Sequence, residues 1–286
     1  MKRTAVLCIV SVSFALLVFG CSLRRQAAAE GVGQGEIDFQ LVDYHVHLKG
    51  GLTVDEAIAL AEANGTKFGI AENCGLGFPV TDDLGLIAHV KRLQGKPVYT
   101  AMQAEGREWV TLFSPEAIAM FDYVFTDAMT WTDDDGNRMR LWIPEEVKCD
   151  DKQVFMDTLV ERIVTLMDTE PIDIYVNSTF LPAVIADEYD ALWTEERMHK
   201  VIQAAVRNDV AIEINARYRL PSGTFIRLAK QAGVKFACGT NNGGRNDLGN
   251  LEYCREMIRQ CNLTADDMFT PKPKEKKPIF TKGLPK

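Results

Sequence analysis

Short apolar segments rich in β-branched residues alternate with helical patterns along the body of this chain, and that alternation limits the fold more than any other feature. Most of these segments are entered through a Gly, Pro or Asp turn, which is typical of strands. The predicted strands cover residues 39–45, 67–71, 97–103, 123–126, 172–176, 210–214 and 234–238. Since helical patterns separate them and no internal repeat is visible, we predict a parallel sheet, either a barrel or a doubly wound sheet.

Helix signals fill the gaps between the strands. Thr53 and Glu56 form a capping box, and the helix that they open is expected to end at Asn64 and Gly65. Further helices are predicted at 152–167, 194–208, 222–232 and 248–260. The insert at 130–147 is rich in Asp, Gly and Asn, and we predict a long loop that serves as a lid or contacts substrate.

Polar side chains recur just after the predicted strands, and their recurrence favours the barrel. In a parallel barrel all carboxyl ends of the strands meet at one mouth, where active sites lie, whereas an open sheet uses only the strands at its switch point. The recurring residues are His45, His47, Glu72, Glu105, Asp127, Asn177, Glu213, Asn241 and Asn242.

The first twenty residues indicate export. A basic start is followed by an apolar run at 5–19, too short for an ordinary membrane-spanning helix, and then by Gly20 and Cys21. Residues 18–21 resemble a bacterial lipobox, which predicts acylation of Cys21 and a lipoprotein tethered to a membrane, at the cell surface or in the periplasm. An uncleaved N-terminal anchor is the alternative. We predict a signal peptide at 1–20, a flexible tether at 21–36, one barrel at 37–270 and a disordered tail at 271–286, which is rich in Lys and Pro.

Charge and cysteine content exclude several classes of function. The net charge of -8 is spread along the chain, which argues against binding a nucleic-acid polymer but allows a small anionic substrate. The seven cysteines show no zinc-type spacing. Cys254 and Cys261 would lie about 10 Å apart on one helix, too far for a disulfide. We expect mostly buried, reduced thiols.

His45 and His47 are the strongest candidates for a chemical site. Two residues apart on a strand, their imidazoles face the same side and can chelate a divalent metal, with Asp43 behind them to orient a ring. The pair alone is a weak motif, but it is followed by a glycine pair and a capped helix, and then by a second strand that ends at Glu72.

Together with the segments after the second and third strands, residues 69–74 and 103–106, the histidine pair resembles the PHP (polymerase and histidinol phosphatase) family. Residues 211–215 and 233–242 are similar to the C-terminal part of that family, and the resemblance covers 42–263. It implies a distorted (β/α)7 barrel with two or three bound metals and the hydrolysis of phosphate esters.

The chain departs from the family at most metal positions. The family supplies Asp-His after strand two, histidines after strands four and five, and an Asp and a His after strand seven. This chain has Glu72 and Asn73, Asp127, Asn177, and Asn241 and Asn242 there. With four histidines in all, two of them (His89 and His199) in helical patterns, it cannot assemble the full site.

Two interpretations of the altered site remain open. In the first, His45, His47, Glu105 and Asp127 bind Zn²⁺, Mn²⁺ or Fe²⁺, and Glu72 or Glu213 is the general base of a hydrolase, most simply a phosphoesterase. In the second, the site binds no metal. The barrel then only binds a ligand, or it cleaves glycosidic bonds with paired carboxylates such as Glu105 and Glu213.

The substrate prediction rests on arginines and asparagines near the same strand ends. Guanidinium groups suit phosphate or carboxylate, so an anionic or polyhydroxylated substrate is expected, although the arginines could equally pair with surface acids. Asp127 could be a helix cap, Glu213 could pair with Arg217, and the asparagines could be turn residues. The predicted substrate-binding residues are Arg107, Arg217, Asn177, Asn241 and Asn242.

Overall fold

The computed structural model describes residues 36–132 and 136–285. The predicted signal peptide, almost all of the predicted tether and Cys21 lie outside the described residues. Within the described part of the chain, no helix is long and apolar enough to cross a membrane.

Seven parallel strands close into a barrel, as the alternating pattern predicts. The barrel strands are β1 Val42–His47, β2 Lys67–Cys74, β3 Tyr99–Ala104, β4 Tyr123–Thr126, β7 Ile174–Tyr175, β8 Ala211–Asn215 and β9 Phe236–Gly239. Their order around the barrel is β1-β2-β3-β4-β7-β8-β9, and helices surround them. Each of the seven predicted strands is therefore present, with ends that shift by up to three residues.

Many of the helices between the strands begin at side-chain caps. Thr53 and Glu56 form the predicted capping box, while Asp82, Asp151, Thr194 and Ser222 accept backbone N–H groups of the first turn at other helix starts. The helices are α1 Val54–Ala63, α2 Asp83–Leu93, α3 Trp109–Leu112, α4 Pro115–Ile118, α5 Lys152–Thr169, α6 Tyr189–Leu192, α7 Glu195–Asn208, α8 Gly223–Gln231, α9 Glu252–Gln260 and α10 Pro278–Thr281.

Aromatic side chains fill the lower interior of the barrel. Tyr44, Tyr123 and Phe269 pack edge to face with centroids 5.2–5.9 Å apart. The Tyr123 hydroxyl donates to the Tyr44 carbonyl, and the Tyr44 hydroxyl donates to the Phe269 carbonyl. A Cβ at Gly69 would lie 1.9 Å from the Tyr123 hydroxyl, so only glycine fits there. This layer closes the interior below the strand ends, and polar groups can gather only above it.

The described part of the insert at 130–147 contains two paired strands, whereas the sequence predicts a loop. Strand β5, Thr130–Thr132, pairs antiparallel with β6, Arg138–Arg140, and a 3-10 turn follows at Pro144–Glu146. Trp131 and Met139 are buried in the main hydrophobic core. The insert is therefore fixed to the barrel by its own apolar side chains.

The five cysteines in the described residues are free thiols, and four of them are buried, in agreement with the sequence prediction.

The sequence predicts a disordered tail, but the structure contains a short packed helix there. Within it, α10 places Ile279 in the main core with 5% exposure. The Lys277 ammonium donates to the Ala119 carbonyl, and that of Lys282 donates to the Asn208 side-chain oxygen at 2.9 Å. Lys277 and Lys282 therefore do not lie in a solvated segment, because they bond to carbonyl and amide oxygens of the barrel shell.

Replacing Ile279 with alanine should destabilise the protein by about 2 kcal/mol, since a buried aliphatic side chain is lost from the core. Phe280, which is 49% exposed, provides the control, and Phe280→Ala should change the free energy of unfolding by less than about 0.5 kcal/mol. Urea unfolding of both variants measures the difference. Equal, negligible effects would mean that the tail does not pack against the barrel in solution.

Candidate functional site

A pocket of about 270 Å³ opens at the carboxyl ends of the barrel strands. Every barrel strand or the loop after it contributes to the walls, so the predicted convergence of polar residues at one mouth is found. The lining residues are His47, Lys49, Asn73, Phe78, Gln103, Glu105, Asp127, Met129, Trp142, Asn177, Arg217, Tyr218 and Asn241.

A β-bulge in β1 directs the histidine pair into the barrel. Asp43 pairs with Phe68 and Val46 with Ile70, so β1 carries one more residue than β2 between these positions. A bulge of this kind re-aims side chains, and bulges are common beside active sites. As a result, the ring of His45 lies inside the barrel, 5.2 Å from that of His47 between centroids.

His45 is held by a buried carboxylate below the pocket. Its Nδ1 lies 2.6 Å from Glu213 Oε1, and both side chains are 1% exposed. The other Glu213 oxygen accepts the Asn177 N–H at 2.8 Å and the Asn215 side-chain N–H at 3.0 Å. A Cβ at Gly239 would lie 2.1 Å from Glu213 Oε1, so glycine is needed beside the pair. Glu213 therefore has a partner, as its burial requires, but the partner is His45 and not Arg217.

A chain of hydrogen bonds joins this pair to the pocket. The second ring nitrogen of His45 lies 3.2 Å from Gln103 Oε1, and the Gln103 amide donates to Glu105 Oε1 at 2.9 Å. Asn73 donates to the same Glu105 oxygen at 2.6 Å. His45 therefore has a carboxylate oxygen at one ring nitrogen and an amide oxygen at the other.

Two buried carboxyl groups face the pocket. Burial, and next the charge of Asp127, raise the pKa of Glu105 to about 8. Burial also raises the pKa of Asp127, although the Met129 N–H and the Asn177 amide donate to it at 2.9 Å and 2.8 Å. Raised values on two interacting acids are a common property of functional sites.

The rim of the pocket carries positive charge. Partial burial and the neighbouring Arg217 guanidinium lower the pKa of Lys49, so the two cations lie close enough to repel each other. Arg217 donates to the Asn241 carbonyl at 3.2 Å, and Lys49 donates to that of Asn242 at 3.0 Å. At His47, burial and the nearby His45 and Lys49 lower the pKa, so this ring is neutral near pH 7.

The predicted site residues fall into three groups. His47, Glu105, Asp127, Asn177, Arg217 and Asn241 line the pocket together. His45 and Glu213 lie beneath it as a bonded pair. Glu72, Arg107 and Asn242 are placed elsewhere.

Glu72 points away from the pocket, so the geometry does not support it as a general base there. Strand β2 continues to Cys74, beyond its predicted end, and side chains alternate along it. Asn73, which pairs with Gln103 in register, therefore faces the pocket. Glu72 faces α2 and binds Arg92 at 3.3 Å, and the adjacent His89 lowers its pKa.

Two predicted substrate contacts are occupied by structural bonds. Arg107 donates to Glu170 at 2.7 Å and to the Thr126 hydroxyl at 2.9 Å, outside the pocket. Asn242 is fully buried and bridges the backbone of His47, accepting its N–H at 2.7 Å and donating to its carbonyl at 2.9 Å. Neither side chain lines the pocket.

The positions of the other candidate residues decide between the alternative roles that the sequence leaves open for them. Asp127 is not a helix cap, since no helix begins after it. Asn177 and Asn241 have φ of 51° and 45°, so they are turn residues that also line the pocket. Asp43 accepts the backbone N–H of His45 at 3.2 Å and does not orient the ring. Among the other arginines near the strand ends, Arg140, Arg219 and Arg245 pair with acids.

The imidazole and carboxylate groups of the site are suitable ligands for a divalent metal, but their arrangement is not suitable. Imidazole and carboxylate groups are common ligands of Zn²⁺, Mn²⁺ and Fe²⁺. Within residues 36–132 and 136–285, however, no three His, Cys, Asp or Glu side chains converge so as to hold an ion. His45 has an acceptor at both nitrogens, and amide donors hold Glu105 and Asp127. As arranged, these residues do not fit the metal centre of the PHP family.

Several pocket residues were not predicted from the sequence. Gln103 lies two residues before Glu105, which was predicted, so strand alternation could have placed Gln103 on the same face. Lys49 stands in the same relation to His47. No local signal marks Asn73 before the length of β2 is known, or Trp142 and Tyr218, which reach the pocket from loops.

Comparisons with known proteins give a distant structural likeness. No protein-family model and no curated protein matches the chain. Among the solved structures that match is a cryo-EM structure of archaeal Ribonuclease P with mature tRNA, with 13% sequence identity and a TM-score of 0.39, over 77% of this chain and 88% of that chain. A likeness this distant carries no information about function.

Proposed function

We propose that this protein is an exported barrel whose mouth pocket binds a small anionic or polyhydroxylated molecule. The supporting observation is the arrangement of the pocket, in which Lys49 and Arg217 stand at the rim above amide side chains. Two neighbouring cations are stabilised by an anion placed between them. Amide groups such as those of Asn73 and Asn241 can donate to and accept from hydroxyl groups.

The hydrogen bonds that the pocket side chains already form also favour a binding function. The Glu213–His45–Gln103–Glu105 chain is satisfied without a ligand, and Asn177 is bonded to Asp127. A satisfied polar network is rigid, which lowers the entropy lost when a ligand is held. The Trp142 and Tyr218 rings provide surfaces on which a sugar or other flat body can pack.

A sugar phosphate should bind this pocket more tightly than the neutral sugar. With glucose 6-phosphate and glucose as probes in isothermal titration calorimetry, we expect Arg217→Gln to weaken the phosphate probe about tenfold and to affect glucose little, because a charged donor is lost. Raising the salt concentration should weaken the phosphate probe as well. Lys91→Gln, which removes an exposed lysine on α2, is the control and should leave both probes unchanged.

Equal affinity of the two probes, or equal loss in the Lys91 and Arg217 variants, would contradict the proposed pocket. Absence of binding by either probe at millimolar concentration would do the same.

A metal-dependent hydrolase of the PHP type, acting on phosphate esters, is the second candidate. The observation that favours it is the Glu105–Asp127 pair, because two interacting acids with raised pKa hold one proton near neutral pH and can then both give and take a proton. Glycosidic cleavage by Glu105 with Glu213 finds no support, since His45 and two N–H groups occupy Glu213 below the pocket. Release of inorganic phosphate from glucose 6-phosphate with added Mn²⁺ would favour hydrolysis over binding alone.

A further inference from the structure

Opposite charges line opposite walls of the mouth pocket. Glu105 and Asp127 follow β3 and β4, which are neighbours in the barrel. Lys49 and Arg217 follow β1 and β8, the two strands on either side of β9. In a closed barrel of this strand order, β9 lies across the mouth from β3 and β4. One wall of the pocket therefore carries two acids, and the facing wall carries two cations.

The two cations meet at one point of their wall, on the loop after β9. Lys49 Nζ donates to the Asn242 carbonyl at 3.0 Å, and Arg217 Nη1 donates to the Asn241 carbonyl at 3.2 Å. Partial burial, and next the charge of Arg217, lower the pKa of Lys49, as expected for neighbouring cations. Because the two carbonyls belong to consecutive residues, both cations can reach one anionic group, and each keeps further N–H groups for it.

The two acids are also held by neutral groups. The Asn73 and Gln103 amides donate to Oε1 of Glu105 at 2.6 Å and 2.9 Å, and the Asn177 amide donates to Oδ2 of Asp127 at 2.8 Å. A carboxylate has about four acceptor positions, so both acids can accept from a ligand as well. While the pair shares one proton near neutral pH, it keeps one negative charge for a cation to meet.

Other charges near the two walls do not line the pocket. Burial raises the pKa of Glu105, and the charges of Arg107 and Arg138 oppose this rise. Both arginines line a neighbouring cavity instead of the mouth pocket. On the cationic side, Asp247 accepts two backbone N–H groups of the loop after β9, at 2.7 Å and 2.9 Å. The charges that a ligand meets inside the pocket are therefore those of the two acids and the two cations.

We infer that the mouth pocket takes a small zwitterion, with an anionic group between the two cations and an ammonium group against the two acids. Asn73 and Asn177 follow the order of the barrel between these walls, and their amides suit hydroxyl groups. The ligand class is accordingly an amino sugar that carries an anionic group. This inference rests on the proposed function, because it requires that the pocket binds an anion.

Four related sugars test the inference: glucose, glucosamine, glucose 6-phosphate and glucosamine 6-phosphate. They differ only in the ammonium and the phosphate group, so the effect of each group is measured separately. In isothermal titration calorimetry with the full chain at pH 6.5 and with a chelator present, glucosamine 6-phosphate should bind about tenfold more tightly than glucose 6-phosphate, because its ammonium group forms charge-assisted hydrogen bonds. Glucosamine should exceed glucose by a similar factor.

Variants of each wall separate the two effects. In the double variant Glu105→Gln, Asp127→Asn, the gain from the ammonium group should fall below about twofold, because the acidic wall loses its charge. Arg217→Gln should weaken both phosphates about tenfold and leave the gain from the ammonium group intact. Lys91→Gln and Glu116→Gln change one exposed charge each, outside the pocket, and should leave all four affinities unchanged.

Equal affinity of the wild type for the two phosphates would overturn the inference, and this comparison does not require any variant to fold. If glucose 6-phosphate still bound more tightly than glucose, the proposed anion pocket would stand and the zwitterion alone would be wrong. A full gain from the ammonium group in the double variant would also overturn the inference, since that group would then bind away from the two acids. Absence of binding by all four sugars at millimolar concentration would contradict both proposals.

Discussion

Replacing Glu213 with alanine should destabilise the protein by about 3–5 kcal/mol, because several buried N–H groups that bond to its carboxylate would be left without an acceptor. Three N–H groups point at this carboxylate, from the His45 ring, the Asn177 backbone and the Asn215 side chain. All three are buried and would lose their acceptor together. The loss measured by urea unfolding should therefore exceed that of removing an ordinary exposed carboxylate several times over.

Two other variants test whether the lost hydrogen bonds of Glu213 cause this destabilisation. Glu62→Ala, at an exposed position on α1, should change the free energy of unfolding by less than about 0.5 kcal/mol. Glu213→Gln keeps the volume and one acceptor oxygen but turns an amide N–H group towards donors, and its loss should lie between those of the two alanine variants. If Glu213→Ala cost less than about 1 kcal/mol, water would be replacing the carboxylate and the pair would not be a rigid base for the pocket.

The importance of Glu213 could not be read from the sequence beyond its need for some partner. Its partner His45 is 168 residues away in the chain, and a contact of that separation exists only after the barrel has closed. The bulge that turns His45 inward is also invisible, since it depends on the register between β1 and β2. The histidine pair was recognised locally, whereas the environment that decides its chemistry is tertiary.

The fold itself was predictable because its signals are local. Most strands of the barrel are apolar runs with a turn before them, and four of the five predicted helices begin at a side-chain cap. Predictions failed where the end of a strand was placed wrongly or where the amino-acid composition of a segment suggested the wrong structure. A difference of one residue in the alternation decides which side of β2 Glu72 occupies. The lysines and prolines around Ile279 concealed a short helix that buries this isoleucine.

Stability should fall as the pH rises from about 4.5 to 8 in the wild-type protein, and Glu105→Gln should remove much of that fall. Folding raises the pKa of Glu105 from 4.5 to about 8, so the folded state holds this proton more tightly than the unfolded state does. The resulting contribution to stability is fully present below pH 4.5 and is lost as the pH rises through 8. At about 1.4 kcal/mol for each unit by which the pKa differs, the loss across this range is on the order of 5 kcal/mol.

Glu105→Gln should reduce the pH dependence of stability because it removes the titrating proton and keeps the hydrogen bonds of the side chain. It keeps an oxygen for the Asn73 and Gln103 amides, and it carries no charge to repel Asp127. In urea unfolding at pH 5, 6.5 and 8 with a chelator present, its stability should change less with pH than that of the wild type. Glu116→Gln, at an exposed position in α4, should follow the wild-type curve. A wild-type curve that is flat over this range would contradict the raised pKa.

The same titration with Zn²⁺ or Mn²⁺ in place of the chelator separates the two candidate functions. A cation held by Glu105 and Asp127 binds the ionised pair, so it should restore the stability of the wild type at pH 8 by mass action. Glu105→Gln should gain much less, because half of the charge that attracts the ion is absent. Recovery confined to the wild type would support the hydrolase. No recovery, together with less than about a tenth of an equivalent of metal in protein purified without chelator, would leave ligand binding as the function of the pocket.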